Sequence, residues 1–363
     1  MNLFTNYIRD LFQGTLAGWN RFWFSAVDPA TLGAIRLCTG AMLFYTHLVW
    51  TLGINDFLMP GGWLDPAAVR MTQRGGFAWS YWWYIQSPTL IWVVHLAGLV
   101  VFAMLALGLF SRIVSVLAFV ITVSYTHRLT GALFGLDQIN AMLAMYLMVG
   151  PSGAAYSLDR WRLARKEDVK LPPAPPSVGA NLALRLIQIH MCVIYFFAGV
   201  SKLQGPAWWE GSALWGAVAN LEYQSFDMTW LAAWPLTIAF LTHVTVLWEI
   251  SYPALVWPRL TRPIVLAMAV PLHLGIAFGL GMMTFGIAML FGNLAFVSPK
   301  VVRAVLGGGP PPKRSKPAAE KAAEKGSERP PERSGDRPNS QNDAAFRAQQ
   351  QQRDRMKRSS SMS

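Results

Sequence analysis

Eight stretches of this chain are apolar over most of the length needed to cross a bilayer, and that pattern limits the fold more than any motif does. A membrane-crossing helix takes roughly 20 mainly apolar residues, because lipid offers the backbone no hydrogen-bond partner and a helix satisfies its own. Of 363 residues 53% are hydrophobic and 14% charged, and the charges gather in short clusters between the apolar runs. A soluble domain spreads its charges between core segments. The expected fold is therefore all-α: a polytopic helical membrane protein of about eight transmembrane helices, with an N-terminal amphipathic helix and a disordered C-terminal tail.

The spans are expected at about 31–53, 90–110, 112–126, 136–149, 181–203, 230–257, 264–280 and 283–297. Asp28-Pro29 opens the first, since Asp accepts from free N–H groups and Pro suits a first turn. A loop rich in Gly, Trp and Tyr follows at 54–87. Residues 1–30 lack the basic stretch and small-residue cleavage site of a signal peptide, and read as an interfacial segment with Phe4, Ile8, Leu11 and Phe12 on one side. The transmembrane domain is placed at 31–300.

Charge orients the set. The N-terminal segment, Arg112, the 151–180 loop, Arg259, Arg262, Lys300 and Arg303 hold twelve Lys and Arg, whereas the alternate loops hold Arg70, Arg74, Arg128 and Lys202. The positive-inside rule then puts both termini in the cytoplasm of a bacterial-type inner membrane, and Lys202 near the opposite face. From 307 the chain turns to Lys, Arg, Glu, Gln, Pro and Ser, with Gly and Pro interleaved, a composition that favours disorder. This tail carries thirteen basic and seven acidic residues, half of the formal +12. Its charge suits solubility and topology, or a hold on anionic lipid, so the basic balance argues for no specific nucleic-acid partner.

The chain carries few recognisable motifs. Cys38 and Cys192 lie inside apolar runs and form no disulfide framework. There is no H-x-x-H, no Cys/His cluster, no P-loop, no dinucleotide fingerprint and no G-x-S-x-G, so no metal site is expected. What remains are polar groups at membrane depth, each costing a few kcal/mol unless paired, and so each a candidate site. They are Arg36, Asp137, Lys202, Glu249 and Arg185, with His47, His95, His190, His243 and His273 as neutral partners. Arg185 suits a snorkelling position, and a pairing of Glu249 with Arg36 is the structural alternative to a role for Glu249 in a ligand site.

Lys202 closes the run Y-F-F-A-G-V-S-K-L, and Gly205-Pro206-Ala207-Trp208-Trp209-Glu210 follows. Either Lys202 marks where the run leaves the membrane, or it faces a buried site. Four segments bear on the choice: V-D-P-A-T-L-G-A-I-R-L (27–37), L-G-L-F-S-R-I (107–113), V-I-Y-F-F-A-G-V-S-K-L (193–203) and H-L-G-I-A-F-G-L-G-M-M-T-F (273–285). In sequence and in order they resemble the HTTM (horizontally transferred transmembrane) family, which includes the membrane part of vitamin K-dependent γ-carboxylase. The resemblance implies that Lys202 is the catalytic base acting on a quinone or vitamin K-like hydroquinone. Asp137, Glu249, His273 and Arg36 would support it, and Trp208, Trp209 and Glu210 would shape the ligand entrance.

The chain also departs from the carboxylase pattern. Ser201 stands where those enzymes have a first lysine, and Gly135 to Asn140 lies where they carry Asn-Asn-His. Only a low-complexity tail follows the last span, so peptide carboxylation is not expected. The first reading is a membrane protein that binds or acts on a lipophilic, quinol-like ligand. The second is a non-enzymatic scaffold or accessory protein for maturation or export of a secreted peptide. A transporter has less support, since no repeat relates the two halves.

Overall fold

A computed structural model describes residues 2–167, 174–222, 224–225, 227–307 and 348–351. The chain divides into two units, Met1–Pro312 and Lys313–Ser363. In the second, residues 348–351 are helical; apart from these and Gly307, the segment read above as a disordered tail lies outside the described residues.

The first unit is helical throughout, and its described residues contain no strand beyond a single bridge between Val27 and Ser177. Its first half comprises α1 (Asn2–Phe24), α2 (Ala30–Trp50), the one-turn α3 (Ile54–Phe57), α4 (Pro66–Thr72), α5 (Pro88–Leu107), α6 (Ser111–Arg128), α7 (Gly135–Val149) and α8 (Leu158–Glu167). The second half comprises α9 (Val178–Lys202), the short α10 (Pro206–Trp209) and α11 (Ala213–Val218), α12 (Pro235–Leu255), α13 (Arg262–Leu274), α14 (Met283–Asn293) and α15 (Pro299–Leu306). Five stretches are long and apolar enough to cross a membrane: Ala30–Phe57, Pro88–Leu107, Val178–Lys202, Pro235–Leu255 and Arg262–Gly279. Met283–Phe296 is apolar but shorter. With α6 and α7 packed among them, helices occupy all eight apolar stretches of the sequence, five of them long enough to cross, so this is a helical membrane protein.

Lipid removes the hydrophobic drive between helices, so close backbone approach and internal polar bonds hold such a bundle together. Gly40 shows the first device. A Cβ there would stand 2.4 Å from the Ala106 backbone nitrogen, so only glycine lets α2 lie this close to α5. A core of Leu32, Ile35, Leu143, Ile187, Met191 and Tyr252, among others, fills the space between α2, α7, α9, α12 and α14.

Polar bonds gather one end of the bundle. Arg36, fully buried, donates to the carbonyls of Leu105 (2.9 Å), Ala106 (3.2 Å) and Tyr156 (2.5 Å). The last carbonyls of a helix have no partner within it, and Arg36 supplies one for α5. The chain then turns through Gly108 at φ +70, where a Cβ would strike the Arg36 guanidinium. Asp159 accepts from the N–H groups of Phe110 (3.0 Å) and Ser111 (3.1 Å), capping α6 from a distant segment. Asp28 accepts from Ala30 N–H at 2.9 Å, as its place before Pro29 foretold, and also takes a two-pronged bond from Arg303 at 2.7 and 2.8 Å. That bond ties α15 to the start of α2. The pairing of Arg36 with Glu249 considered above is therefore incorrect: Arg36 is bound to main-chain carbonyls, and Glu249 has another partner.

Candidate functional site at the end of α9

The last turn of α9 carries the site because three residues share one face. Tyr195, Gly199 and Lys202 stand at i, i+4 and i+7, the spacing of neighbours on a helix surface. Gly199 meets α12: a Cβ there would lie 2.7 Å from Ile250 Cγ1, 3.0 Å from the Ile250 nitrogen and 3.1 Å from Glu249 Cβ. With no side chain in the way, Lys202 reaches Glu249. Its Nζ donates to Oε1 at 2.9 Å and stands 2.7 Å from Oε2, closing an ion pair 47 positions apart in sequence. The lysine side chain is 22% exposed and the glutamate 9%. Two opposite charges this close offset the cost that either alone would incur at membrane depth.

Around the pair lies the turn that follows. The Trp208 ring sits 5.3 Å from Nζ, within cation–π range. Trp209 donates its indole N–H to Leu203 O at 2.7 Å and closes the turn back onto α9. The Trp209 ring itself is exposed, as is Glu210, so of the three entrance residues Trp208 is the one at the pair. Phe196 and Phe197 are 42% and 64% exposed and face outward, leaving Trp208 as the aromatic partner of Nζ.

Two turns deeper the same face leads into a buried polar chain. Asn293 donates to the Met289 carbonyl at 2.9 Å, which fixes which end of its amide is nitrogen. That nitrogen donates to the Tyr195 oxygen at 2.7 Å, while Tyr252 donates to the amide oxygen at 2.7 Å. The Tyr195 proton then has His273 Nε2, 2.6 Å away, as its acceptor. His273 Nδ1 is buried with no partner among the described residues. Trp248, beside Glu249 in sequence, lies edge-on to Tyr195 with centroids 4.8 Å apart and donates to Val265 O. His273 is placed by Pro271 inside α13 and the wide π turn Gly275–Gly279 just after it, both of which break the regular ladder.

The residues singled out in the sequence thus separate. Lys202, Glu249 and Trp208 come together, and His273 joins the polar chain through Tyr195. Asp137 accepts from Phe134 N–H at 3.1 Å, caps the start of α7 and forms no hydrogen bond or ion pair with Lys202 or Glu249. Arg36 binds at the other end of the bundle. His47, His95 and His190 have ordinary partners in Leu43 O, Tyr125 and Tyr146. Arg185 stacks on Phe22, 4.3 Å from the ring centroid. Tyr195, Trp248, Tyr252 and Asn293 were not singled out, although the i, i+4, i+7 spacing from Tyr195 to Lys202 was there to read. No group of His, Cys, Asp and Glu among the described residues has the arrangement of a metal site.

A bundle of apolar helices with a charged pair at the end of one span defines a class: helical membrane proteins with a polar site inside the membrane domain. More narrowly, residues 24–300 match the HTTM domain, and the chain belongs to that family. Neither the curated proteins nor the solved structures contain a match.

Proposed function

We propose that this protein binds a lipophilic, quinol-like molecule at the Lys202–Glu249 pair, with Trp208 at the mouth of the site. The observation that carries this reading is the pair itself: Nζ lies within 2.9 Å of both carboxylate oxygens at the end of a closely packed span. A lysine that only marked the membrane boundary would turn toward headgroups, without a carboxylate on a neighbouring helix.

The residues fit such a ligand in three respects. The ammonium and the carboxylate offer one donor and one acceptor to a hydroxyl or carbonyl. Trp208 supplies a flat aromatic surface. His273 Nδ1 is a buried polar atom for which a ligand oxygen would be a partner. A quinol, when bound, would supply weakly acidic hydroxyls. Lys202 and Glu249 would orient one of them and move its proton: the ammonium passes a proton to Glu249, and the freed amine takes the proton of the hydroxyl. Tyr195 would act at one remove, holding His273 through its hydroxyl.

The test is the identity of the lipophiles retained in mild detergent, read by mass spectrometry in the wild type, Lys202→Ala and Glu249→Gln. A quinone present in the wild type and lost from both variants supports the proposal. Ordinary phospholipid alone in all three refutes it and favours the scaffold reading.

A further inference from the structure

A second polar feature lies apart from that pair, in the connection from α2 to α5. Here α4 stands beside the turn Tyr81–Tyr84, and a cavity of about 580 Å³ is lined by Arg70, Arg74, Met71, Trp83, Gln86 and Asp65, among others. A volume of this size is in the range of small-molecule sites.

Its charges are arranged for an anion. The guanidinium carbon of Arg70 lies 5.2 Å from the Trp83 centroid and 5.6 Å from that of Tyr84. Stacking on ring faces orders the side chain and leaves its in-plane N–H donors available. Arg74 follows four residues later, where the N–H of Arg74 still bonds to Met71 O and continues the turn of α4. Both arginines are exposed, and among the described residues neither guanidinium forms a hydrogen bond or an ion pair. The single acid in the lining, Asp65, turns Oδ1 to the Ala68 N–H at 2.9 Å and caps α4. Trp63, Phe77 and Tyr84 are exposed large aromatics in the same segment, a composition like that of the aromatic belts at headgroup depth.

We propose that this cavity is a phosphate-binding site at the membrane–water interface. Arg70 and Arg74 would hold the phosphate of an anionic lipid headgroup or of a free phosphate ester. Phosphate presents several oxygens, enough to meet both guanidinium forks at once, and charge-assisted bonds of that kind are the strong ones. Trp83 sets the orientation of Arg70, and Met71 and Gln86 line the remaining space.

The full-length protein in mild detergent is titrated with phosphatidylglycerol, with phosphatidylcholine and with glycerol 3-phosphate, and bound species are counted by native mass spectrometry. Arg70→Gln with Arg74→Gln should weaken binding at least about tenfold, and Arg70→Lys with Arg74→Lys should weaken it less. Preference for phosphatidylglycerol over phosphatidylcholine, whose phosphate is neutralised by its own choline, identifies an anionic headgroup as the ligand when it is lost in the Gln variant; saturation by glycerol 3-phosphate, lost in the Gln variant, identifies the free ester. Lys202→Ala should leave either binding unchanged, which separates this site from the proposed quinol site. Binding equal in the wild type and the Gln variant, or no binding of phosphatidylglycerol or glycerol 3-phosphate to a wild type that unfolds cooperatively, would overturn the proposal.

Discussion

At the residue scale two cations near span ends do different work. Arg36 makes all its hydrogen bonds to main-chain carbonyls, three of them in two separate segments. Lys202 faces one carboxylate, one indole ring and partial exposure. Arg36 is therefore a structural staple. Arg36→Met keeps the bulk and removes the donors, leaving the Ala106 and Tyr156 carbonyls unpaired at about 1–3 kcal/mol each, while Leu105 O keeps the Gly108 N–H. We expect it to lower the thermal midpoint in detergent sharply or to prevent folding, whereas Lys202→Met folds. A well-folded Arg36→Met protein with a wild-type midpoint would contradict this assignment. The sequence made both residues visible as charges in apolar surroundings. It did not show which carboxylate Lys202 meets, because the partner is 47 positions away and its approach depends on how two helices cross.

At the element scale, glycines set that crossing. Gly40 and Gly199 both lie where a Cβ has no room, but the obstacles differ. At Gly40 the nearest atoms are the Ala106 backbone, which cannot yield; at Gly199 the nearest is the Ile250 side chain, which has more freedom to move. Gly275 has nothing within 4 Å. The order of destabilisation should be Gly40→Ala, then Gly199→Ala, with Gly275→Ala neutral or slightly stabilising. Overpacking of this sort costs typically 1–3 kcal/mol or more. Thermal unfolding of the three variants checks the order, and a Gly275→Ala as damaging as Gly40→Ala would show that the helices are packed differently. The spans themselves were legible, since long apolar runs have few alternatives to helices in lipid. Their short polar insertions were not: Tyr195, Tyr252 and Asn293 each look like ordinary span residues until α9, α12 and α14 bring their hydroxyls and amide together.

At the scale of the whole molecule, the first unit is closed by bonds between segments far apart in sequence. Asp28 and Arg303, 275 positions apart, form a two-pronged pair with side chains 9% and 8% exposed. Removing one partner of such a pair strands the other, whereas replacing both relieves the charge. Arg303→Met alone should thus destabilise by about 2–4 kcal/mol, and Asp28→Asn together with Arg303→Met by less. Unfolding of the single and double variants in detergent measures it, and strictly additive losses would argue that the two residues act independently. The pair holds the start of α2 beside α15.

In the proposed site, Lys202 and Glu249 act as one unit toward a lipophilic ligand. The most direct test is a double-mutant cycle on ligand affinity, with a decyl-substituted benzoquinol as probe, across wild type, Lys202→Met, Glu249→Gln and the double variant. If the pair is the site, each single substitution weakens binding at least about tenfold and the double variant is little worse than either single. Losses that simply add, or an affinity that no substitution changes, would contradict it.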